Sequence, residues 1–498
     1  MQKPILILTL AVSAFAQQVD WTSQIRNKPF ADAREYRFTR TNGKGASGDL
    51  SSAGANSATL TSCPVGVAGA NTNHYVYISG GAGTAEAVLI TGGTCTSGAA
   101  TGTLEFTTAN THTGAWAVTS ATAGIQETIN AVGSRGRIAI PEGAHSMYAP
   151  IYITDSLVLE GASTEAELVA QSATQHLIVI TTTSALQRVR IQNLTLHTAL
   201  PKTAGDAIQI NGSGGVSNRG TVIDGVLFLA QWNGINIVSG TNYSILNCNF
   251  AAGQNYSIYL RNTSAGDDGD SGIINCIIDN SDPTKGAGIR WESGGGVKIA
   301  NTKILNHVYG VDFRVADGVA TSDIQLVNNS IENQSEAAMN FQRLNATGTL
   351  ESIVITGNQM ATTKYGIITQ VGGISRILIS DNLIGGGTHG ILISQTAGVK
   401  IDGNLINGAT NGIYFSAGNS GLLTAVQNQI IGATTKYTGT AVFVDNLNAL
   451  TFAEITAGSF GPTNGSQAYC ADCIIASPCA GGGTGALAKR LSAAWVCN

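Results

Sequence analysis

The residues best placed to do chemistry are five charged side chains at matching positions of three successive repeats. Charged residues make up only 11% of the sequence, so this concentration is unusual. Two carboxyl groups with room for a water between them serve as the acid and base of an inverting glycosidase. Arginine binds sugar carboxylates through paired hydrogen bonds. These residue types predict a site for acidic polysaccharide. The catalytic candidates are Glu292, Asp312 and Arg290, and the substrate-binding candidates are Arg261 and Arg314.

Aromatic residues and an acidic insert flank the charged residues. Tyr259 and Trp232 are candidates for stacking on a sugar face, since aromatic rings combine an apolar surface with a polar edge. Asp267, Asp268 and Asp270 crowd a long insert between two repeats. Carboxylate oxygens are preferred Ca²⁺ ligands. The insert is therefore a candidate calcium site, as a lyase of acidic sugars would require, and a plain solvated turn is the alternative.

The five charges also allow a purely structural interpretation. Arginines and carboxylates that alternate up a column neutralise one another, and an exposed ion pair contributes about 0–1 kcal/mol. A neighbouring arginine also lowers the pKa of a carboxyl group, which works against a general acid. A surface ladder, a glycan-binding groove and a catalytic site therefore remain three alternatives.

A repeated sequence motif would bring these side chains together. It consists of a small residue followed by alternating apolar positions, and a repeat of this length that tolerates insertions is typical of a solenoid. Alternation with period two makes each unit a strand. The strands are predicted to begin near residues 206, 233, 256, 287, 309, 337, 365, 389 and 411.

The strand geometry predicts how the charges meet. Strands of neighbouring rungs lie about 4.8 Å apart, and alternate residues of a strand share one face. Arg290 should therefore lie directly against Asp312, and Glu292 should lie between Arg261 and Arg314. Together they should form one exposed patch on a single sheet, overhung by the acidic insert.

Two adjacent columns of the repeat predict how each rung turns. The first contains only Gly, Asn and Asp, which tolerate a left-handed backbone, so positive φ is expected there. Its members are Asn193, Gly225, Asn247, Asn275, Asn301, Asn328, Gly357, Asp381, Gly403 and Asn428.

The amides of the second column should form a hydrogen-bonded ladder. This column contains Leu194, Val226, Cys248, Cys276, Thr302, Asn329, Asn358, Asn382, Asn404 and Gln429. Cys248 and Cys276 should be stacked free thiols, with a disulfide as the alternative.

The composition and the chain ends divide the protein into four parts. Residues 1–16 have a lysine, an apolar run and a small-x-small end, which predict a signal peptide and a secreted protein. Residues 17–124 should form a small β-rich region, residues 125–460 the solenoid with a capping helix at its start, and residues 461–498 a Cys-rich module. The low, slightly acidic charge excludes a nucleic-acid binder. No later apolar stretch is long enough for a transmembrane segment.

Eight cysteines in an exported chain favour disulfides. Cys63 and Cys95 should pair within the β-rich region. The four cysteines near the C-terminus should form two disulfides, one of them from Cys470 to Cys497. A zinc site is the alternative, because this group opens with Cys-x-x-Cys.

Several segments resemble a known family. Residues 20–36 resemble the entry segment of pectate-lyase-superfamily β-helix proteins and phage tailspikes, and residues 124–129, 138–143 and 158–162 resemble that family's capping helix and first coils. The resemblance implies an all-β, right-handed parallel β-helix with three sheets that binds or acts on polysaccharide. The Asn-Thr-Asp and Arg-Ile-Lys motifs of polygalacturonase-like enzymes are absent from the sequence, and only Thr388-His389-Gly390 approaches their Gly-His-Gly.

Two functional hypotheses follow. The first is a secreted enzyme, a hydrolase or a lyase, that degrades acidic polysaccharide, and the charge cluster with its acidic insert favours it. The second is a non-catalytic surface adhesin or structural β-helix stalk, and the missing enzyme motifs favour it.

Overall fold

The computed structural model describes most of the chain. The described residues are 30–41, 49–51, 54–182, 188–212, 218–261, 271–280, 282–292, 295–315, 318–344, 347–370, 372–439, 441–456 and 464–498. The predicted signal peptide and the aspartates at 267, 268 and 270 lie outside them.

The body of the molecule is a parallel β-solenoid in which each rung supplies a strand to each of three sheets. The first sheet contains Phe30–Asp32, Gly136–Ile140, Leu157–Gly161, Val189–Gln192, Val222–Asp224, Ser244–Leu246, Ser271–Ile274, Val297–Ala300, Ala320–Thr321, Ile324–Val327, Thr349–Thr356, Ile374–Ser380, Thr396–Asp402, Ser420–Val426 and Val442–Leu450. The second contains Gly143–Met147, Ala166–Ala170, Thr195–Thr198, Leu227–Leu229, Asn249–Ala251, Ile277–Asp279, Lys303–Leu305, Ser330–Gln334, Gln359–Thr362, Leu383–Gly385, Leu405–Asn407 and Gln429–Ile431. The third contains Ile151–Ile153, Ile178–Thr182, Asp206–Gly212, Asn233–Ile237, Ile258–Leu260, Ala287–Trp291, Tyr309–Val315, Ala337–Arg343, Tyr365–Gln370, His389–Ile393, Asn411–Phe415 and Thr435–Thr438.

The alternating apolar positions of the repeat form an inward-facing column on the third sheet. Its members pair in register from rung to rung and are at most 1% exposed: Ile235, Ile258, Ile289, Val311, Met339, Ile367, Ile391 and Ile413. Aromatic rings extend the stacking inside the coil, with Phe313 and Phe341 5.1 Å apart and nearly parallel. A single apolar core therefore runs the length of the solenoid.

The turn columns are confirmed with one correction. Positive φ occurs at nine of the ten expected positions, but the last falls on Gln427 instead of Asn428. Asn428 instead ends the amide ladder. Its Oδ1 accepts two hydrogen bonds from Asn404, one from the backbone N–H at 3.0 Å and one from the side-chain Nδ2 at 2.9 Å. The sequence alignment was shifted by one residue there. The hydrogen bonds that complete the ladder outweigh the preference of the left-handed position for Asn over Gln, so Gln427 takes the position with positive φ.

A second core lies N-terminal to the solenoid. A six-stranded sheet contains Thr39–Thr41, Thr113–Ser120, Tyr75–Ala82, Glu86–Gly92, Gly102–Thr107 and Ala55–Leu60, and it buries its own apolar cluster. The Cys63–Cys95 disulfide forms as predicted, and Cys248 and Cys276 remain free and buried. The expected capping helix, α1, spans Ile125–Val132.

The C-terminal residues continue the first sheet. The strand Gln467–Cys470 pairs in parallel with Val442–Leu450, and the strands Ala486–Leu491 and Ala494–Cys497 are added antiparallel. A short helix, α2, spans Phe452–Thr456. The number of disulfides is as predicted but the pairing was wrong, because Cys470 bonds Cys473 and Cys479 bonds Cys497. The strand Ala486–Leu491 lies between Cys470 and Cys497 and separates them. Within the described part of the chain, no helix is long and apolar enough to cross a membrane.

Candidate functional site

The charged residues lie on the outer face of the third sheet. The strand register places Tyr259 beside Arg290, Arg290 beside Asp312, and Asp312 beside Asn340. The predicted contact is confirmed, since Nη1 of Arg290 lies 2.5 Å from Oδ2 of Asp312. Residues from separate coils therefore meet at the rung spacing of about 4.8 Å.

Asp312 is the buried anchor of the cluster. Its side chain is 1% exposed, and its oxygens accept hydrogen bonds from Arg290, from Nε of Arg314 at 3.2 Å, and from Nδ2 of Asn340 at 2.7 Å. A buried carboxylate is stable only when such donors replace the water it has lost. Its oxygens are occupied by three donors, so Asp312 is suited to holding the arginines in position.

Arg290 links the two carboxylates. Its Nε and Nη2 lie 2.7 and 2.6 Å from Oε1 of Glu292, while Nη1 binds Asp312. Burial alone would lower the pKa of Arg290, but the negative charges of Asp312 and Glu292 outweigh it and raise the pKa above its ordinary value. The guanidinium is therefore a fixed positive charge between the two carboxylates.

Tyr259 completes this end of the cluster. Its hydroxyl donates to Oε2 of Glu292 at 2.9 Å. Burial, assisted by this hydrogen bond, raises the pKa of Tyr259 to about 12. The phenol is therefore protonated throughout the physiological pH range and acts as a donor. Arg261 is exposed at the rim, with its guanidinium carbon 5.4 Å from the centre of the Tyr259 ring.

One detail of the expected patch was wrong, because the ion pair of Arg290 and Asp312 is buried, at 7% and 1% exposure. Glu292 follows the last strand residue, Trp291, and its backbone N–H donates to the carbonyl of Leu260 at 2.7 Å, which continues the register of the strand. The carboxylate of Glu292 binds Arg290. The placement of Glu292 between Arg261 and Arg314 stays a prediction.

A polar cluster that the sequence did not reveal lies further along the same face. Asp206 accepts hydrogen bonds from Nδ2 of Asn233 at 2.7 Å and of Asn236 at 2.9 Å, and its Oδ2 lies 3.3 Å from Nδ1 of His176. Burial would raise the pKa of Asp206, but these partners outweigh it and lower the pKa. The one available signal was the amides at successive outward positions. Nearby, burial lowers the pKa of Lys202 to about 8.

The remaining sequence candidates lie apart from the charged cluster or cannot be placed. Trp232 is half-buried just before the strand Asn233–Ile237, which lies two rungs before the strand that carries Arg290. The proposed calcium ligands Asp267, Asp268 and Asp270 lie outside the described residues. His389 occupies an ordinary rung position, where it stacks on Tyr365 at 5.6 Å.

This arrangement favours recognition of negative charge over two-carboxylate hydrolysis. In an inverting site, the space between the carboxyl groups holds the attacking water. Here the guanidinium of Arg290 occupies the space between Glu292 and Asp312. Glu292 is the more accessible carboxylate, with 19% of its side chain exposed.

The match to a protein-family model agrees with this architecture. A family model described as a right handed beta helix region matches residues 206–370 and 265–435. No curated protein matches the chain. Similar solved structures include the A-module of the Azotobacter vinelandii mannuronan C-5 epimerase AlgE4, with 15% identity over 66% of this chain and 96% of that chain and a TM-score of 0.45. A mutant tailspike protein of E. coli bacteriophage HK620 in complex with pentasaccharide has 13% identity over 66% and 67%, with a TM-score of 0.46. The catalytic unit of the Streptomyces thermodiastaticus GH87 alpha-1,3-glucanase has 11% identity over 80% and 86%, with a TM-score of 0.47.

The protein is a right-handed parallel β-helix protein with three sheets. It bears a charged and aromatic face on its third sheet and a disulfide-bonded extension at its C-terminal end.

Proposed function

We propose that the outer face of the third sheet binds an acidic polysaccharide. The observation that carries the proposal is the arginine cluster organised around the buried Asp312. The buried carboxylate of Asp312 binds Arg290 and Arg314 and holds them at a fixed spacing on the outer face of the sheet. Fixed guanidinium groups lose little conformational entropy when they bind a second anion.

Arg314 and Arg261 are the proposed ligand contacts. Arg314 binds Asp312 through Nε, and its guanidinium carbon lies 5.4 Å from the centre of the Tyr309 ring, yet 26% of its side chain stays exposed. Arg261 is exposed beside Tyr259. A sugar ring that stacks on a tyrosine here would place its carboxylate near a guanidinium. Trp232 stays a proposed stacking residue at the end of this face.

The second candidate function is cleavage of the bound chain, by hydrolysis or by elimination. The accessible Glu292, hydrogen-bonded to the protonated Tyr259, favours it. In this proposal Glu292 exchanges the proton while Asp312 and Arg290 set its position and charge. Calcium bound by the insert containing Asp267 would assist a lyase by neutralising the substrate carboxylate. The three disulfides also support the proposal that the protein is exported and acts outside the cell.

The proposal is tested by binding to polygalacturonate, alginate and neutral dextran in affinity electrophoresis. We expect the acidic polymers to retard the protein and dextran to have no effect. Arg314→Gln and Arg261→Gln should each weaken acidic binding by about tenfold, corresponding to about 1.4 kcal/mol. Added salt should weaken the wild-type interaction, because screening acts on exposed charges.

Arg376→Gln is the matched control, since Arg376 is an exposed arginine on the first sheet, paired with Glu351. If it weakens binding as much as Arg314→Gln, the site assignment is wrong. If none of the polymers binds the wild type, the protein is better described as a structural stalk or an adhesin for another ligand. Reducing ends and unsaturated-uronate absorbance report cleavage, and Glu292→Gln should abolish either signal without changing the melting temperature.

A further inference from the structure

The third sheet carries an alternation of tyrosine and alanine that the charged cluster does not explain. At the start of successive strands, Ala287 pairs with Tyr309, Tyr309 with Ala337, and Ala337 with Tyr365. Tyr256 precedes Ala287 by one rung, with its ring against Gly286, where an added Cβ would lie 3.1 Å from Cδ1 of the ring. A tyrosine thus recurs at every second rung, about 10 Å apart.

Packing of the solenoid does not demand this pattern. The tyrosines are half-buried and the alanines between them are fully buried, so the rings stand above short side chains. Equivalent positions in other rungs hold Asp206, Asn233, His389 and Asn411, which shows that the fold accepts several residue types there.

Two of the tyrosines are each accompanied by a guanidinium. The guanidinium carbon of Arg290 lies 5.9 Å from the ring centre of Tyr256, and that of Arg314 lies 5.4 Å from the ring centre of Tyr309. The repeating unit is therefore a ring with an adjacent positive charge. It suits a sugar that carries a carboxylate beside an apolar ring face.

We propose that this face binds an extended acidic polysaccharide that lies along the solenoid axis and repeats every two sugars. The inference rests on the proposed function and adds the geometry of the substrate. In a chain with two-fold screw symmetry, such as a β-1,4-linked polyuronate, alternate sugars present the same face. One disaccharide then spans about two rungs, or about 10 Å. Each tyrosine would therefore meet every second sugar.

The row of tyrosines also sets the length of the site. At its C-terminal end Tyr365 stacks directly on His389 at 5.6 Å, with no alanine between them, so the alternation ends there. From Tyr256 to Tyr365 the row spans four rung steps, about 19 Å, or two disaccharide lengths. Oligomers longer than this span should gain little further affinity.

The inference is tested by calorimetry of the full-length protein with β-1,4-linked oligomannuronates, from the disaccharide to the octasaccharide. We expect affinity to rise in steps of two sugars and to level off once the row is covered. Oligogalacturonates have α-1,4 linkages between axial positions, which give a puckered and less extended chain, so they should bind more weakly and without such steps. Tyr309→Ala should lower affinity about threefold to tenfold, and Tyr309→Phe should retain it.

Tyr414→Ala is the matched control, since Tyr414 lies on the same sheet beyond the row. The inference is wrong if affinity rises with every added sugar and Tyr309→Ala leaves affinity unchanged. If Arg314→Gln still weakened binding in that case, the proposed function would stand. If the protein binds no oligouronate but binds neutral cello-oligosaccharides in a way that depends on the tyrosines, the acidic specificity is wrong and the two-sugar repeat stands.

Discussion

At the scale of single residues, burial decides which groups can take up a proton. His307 is fully buried in the turn after Lys303–Leu305, and its two ring nitrogens have no hydrogen-bond partner among the described residues. Burial lowers the pKa of His307 to about 4, whereas the pKa of an unfolded histidine lies at its ordinary value of 6.5. Between these values the unfolded chain binds a proton that the folded chain does not. Stability is therefore lost as the pH falls from 6.5 towards 4, by up to about 3 kcal/mol.

His307→Gln should remove this acid sensitivity. Gln334, one rung further on, occupies the same column and donates Nε2 to the carbonyls of Ile304 and Glu332 at 3.1 and 2.7 Å. A glutamine at 307 would meet the carbonyls at the corresponding positions, one on its own rung and one on the rung before it. Urea unfolding at pH 7 and pH 4.5 should show a smaller loss of stability in the variant than in the wild type. His197→Gln, at a half-exposed histidine, is the control, and an equal effect in both variants would contradict the explanation.

The candidate site shows how far residue-level prediction reaches. The contact between Arg290 and Asp312 could be predicted because strand period and rung spacing are fixed by the backbone. The burial of both side chains could not, since strand register fixes which residues are neighbours and not how much of each side chain reaches solvent. The Asp206 cluster was missed for a related reason. Its histidine partner, His176, lies in a turn whose position no periodic pattern predicts.

At the scale of elements, one amide ladder fixes the turn between the first and second sheets. Each ladder asparagine donates Nδ2 to the next Oδ1, at 2.9 Å from Asn329 to Asn428. The repeat made this column visible in the sequence, because a stacked position must satisfy the same donors on every rung. The single error, at Gln427, arose because the preference of left-handed positions for Gly, Asn and Asp is weaker than the ladder's hydrogen bonds.

Asn382→Leu should therefore destabilise the solenoid strongly. It would remove the acceptor of the buried backbone N–H of Asn358 and the side-chain hydrogen bonds to the carbonyls of Ile355 and Ser380, of which the Ser380 carbonyl keeps the N–H of Gly357. Because an orphaned buried group costs about 1–3 kcal/mol and a lost hydrogen bond about 1 kcal/mol, the loss in free energy of unfolding should reach about 3 kcal/mol. Asp381→Asn, next to it at positive φ, should be nearly neutral. Equal midpoints of urea unfolding for the two variants would show that the ladder does not stabilise the fold.

At the scale of the whole molecule, two apolar cores are joined through helix α1. The solenoid core and the core of the N-terminal sheet are separate clusters. Glu127 on α1 lies 3.2 Å from Nε2 of His74 in the N-terminal sheet region, and Thr122 also donates to it at 3.3 Å. Both His74 and Glu127 have fully buried side chains. A helix that caps the exposed end of a solenoid is in this way held from both sides.

Glu127→Ala should uncouple the two cores. The change leaves Nε2 of His74 and the hydroxyl hydrogen of Thr122 buried without their acceptor, at a cost of about 1–3 kcal/mol for each group. Nδ1 of His74 keeps its contact with Asn130, and the oxygen of Thr122 keeps the N–H of Gln126. The cost falls on the junction, because the sheet strands on either side keep their own packing. We expect faster amide hydrogen exchange in Ile125–Val132 and an N-terminal sheet that melts before the solenoid. Glu105→Ala, at an exposed position of the strand Gly102–Thr107, should leave both unchanged. One cooperative transition with unchanged exchange in α1 would show that the contacts around Glu127 are not what joins the two cores.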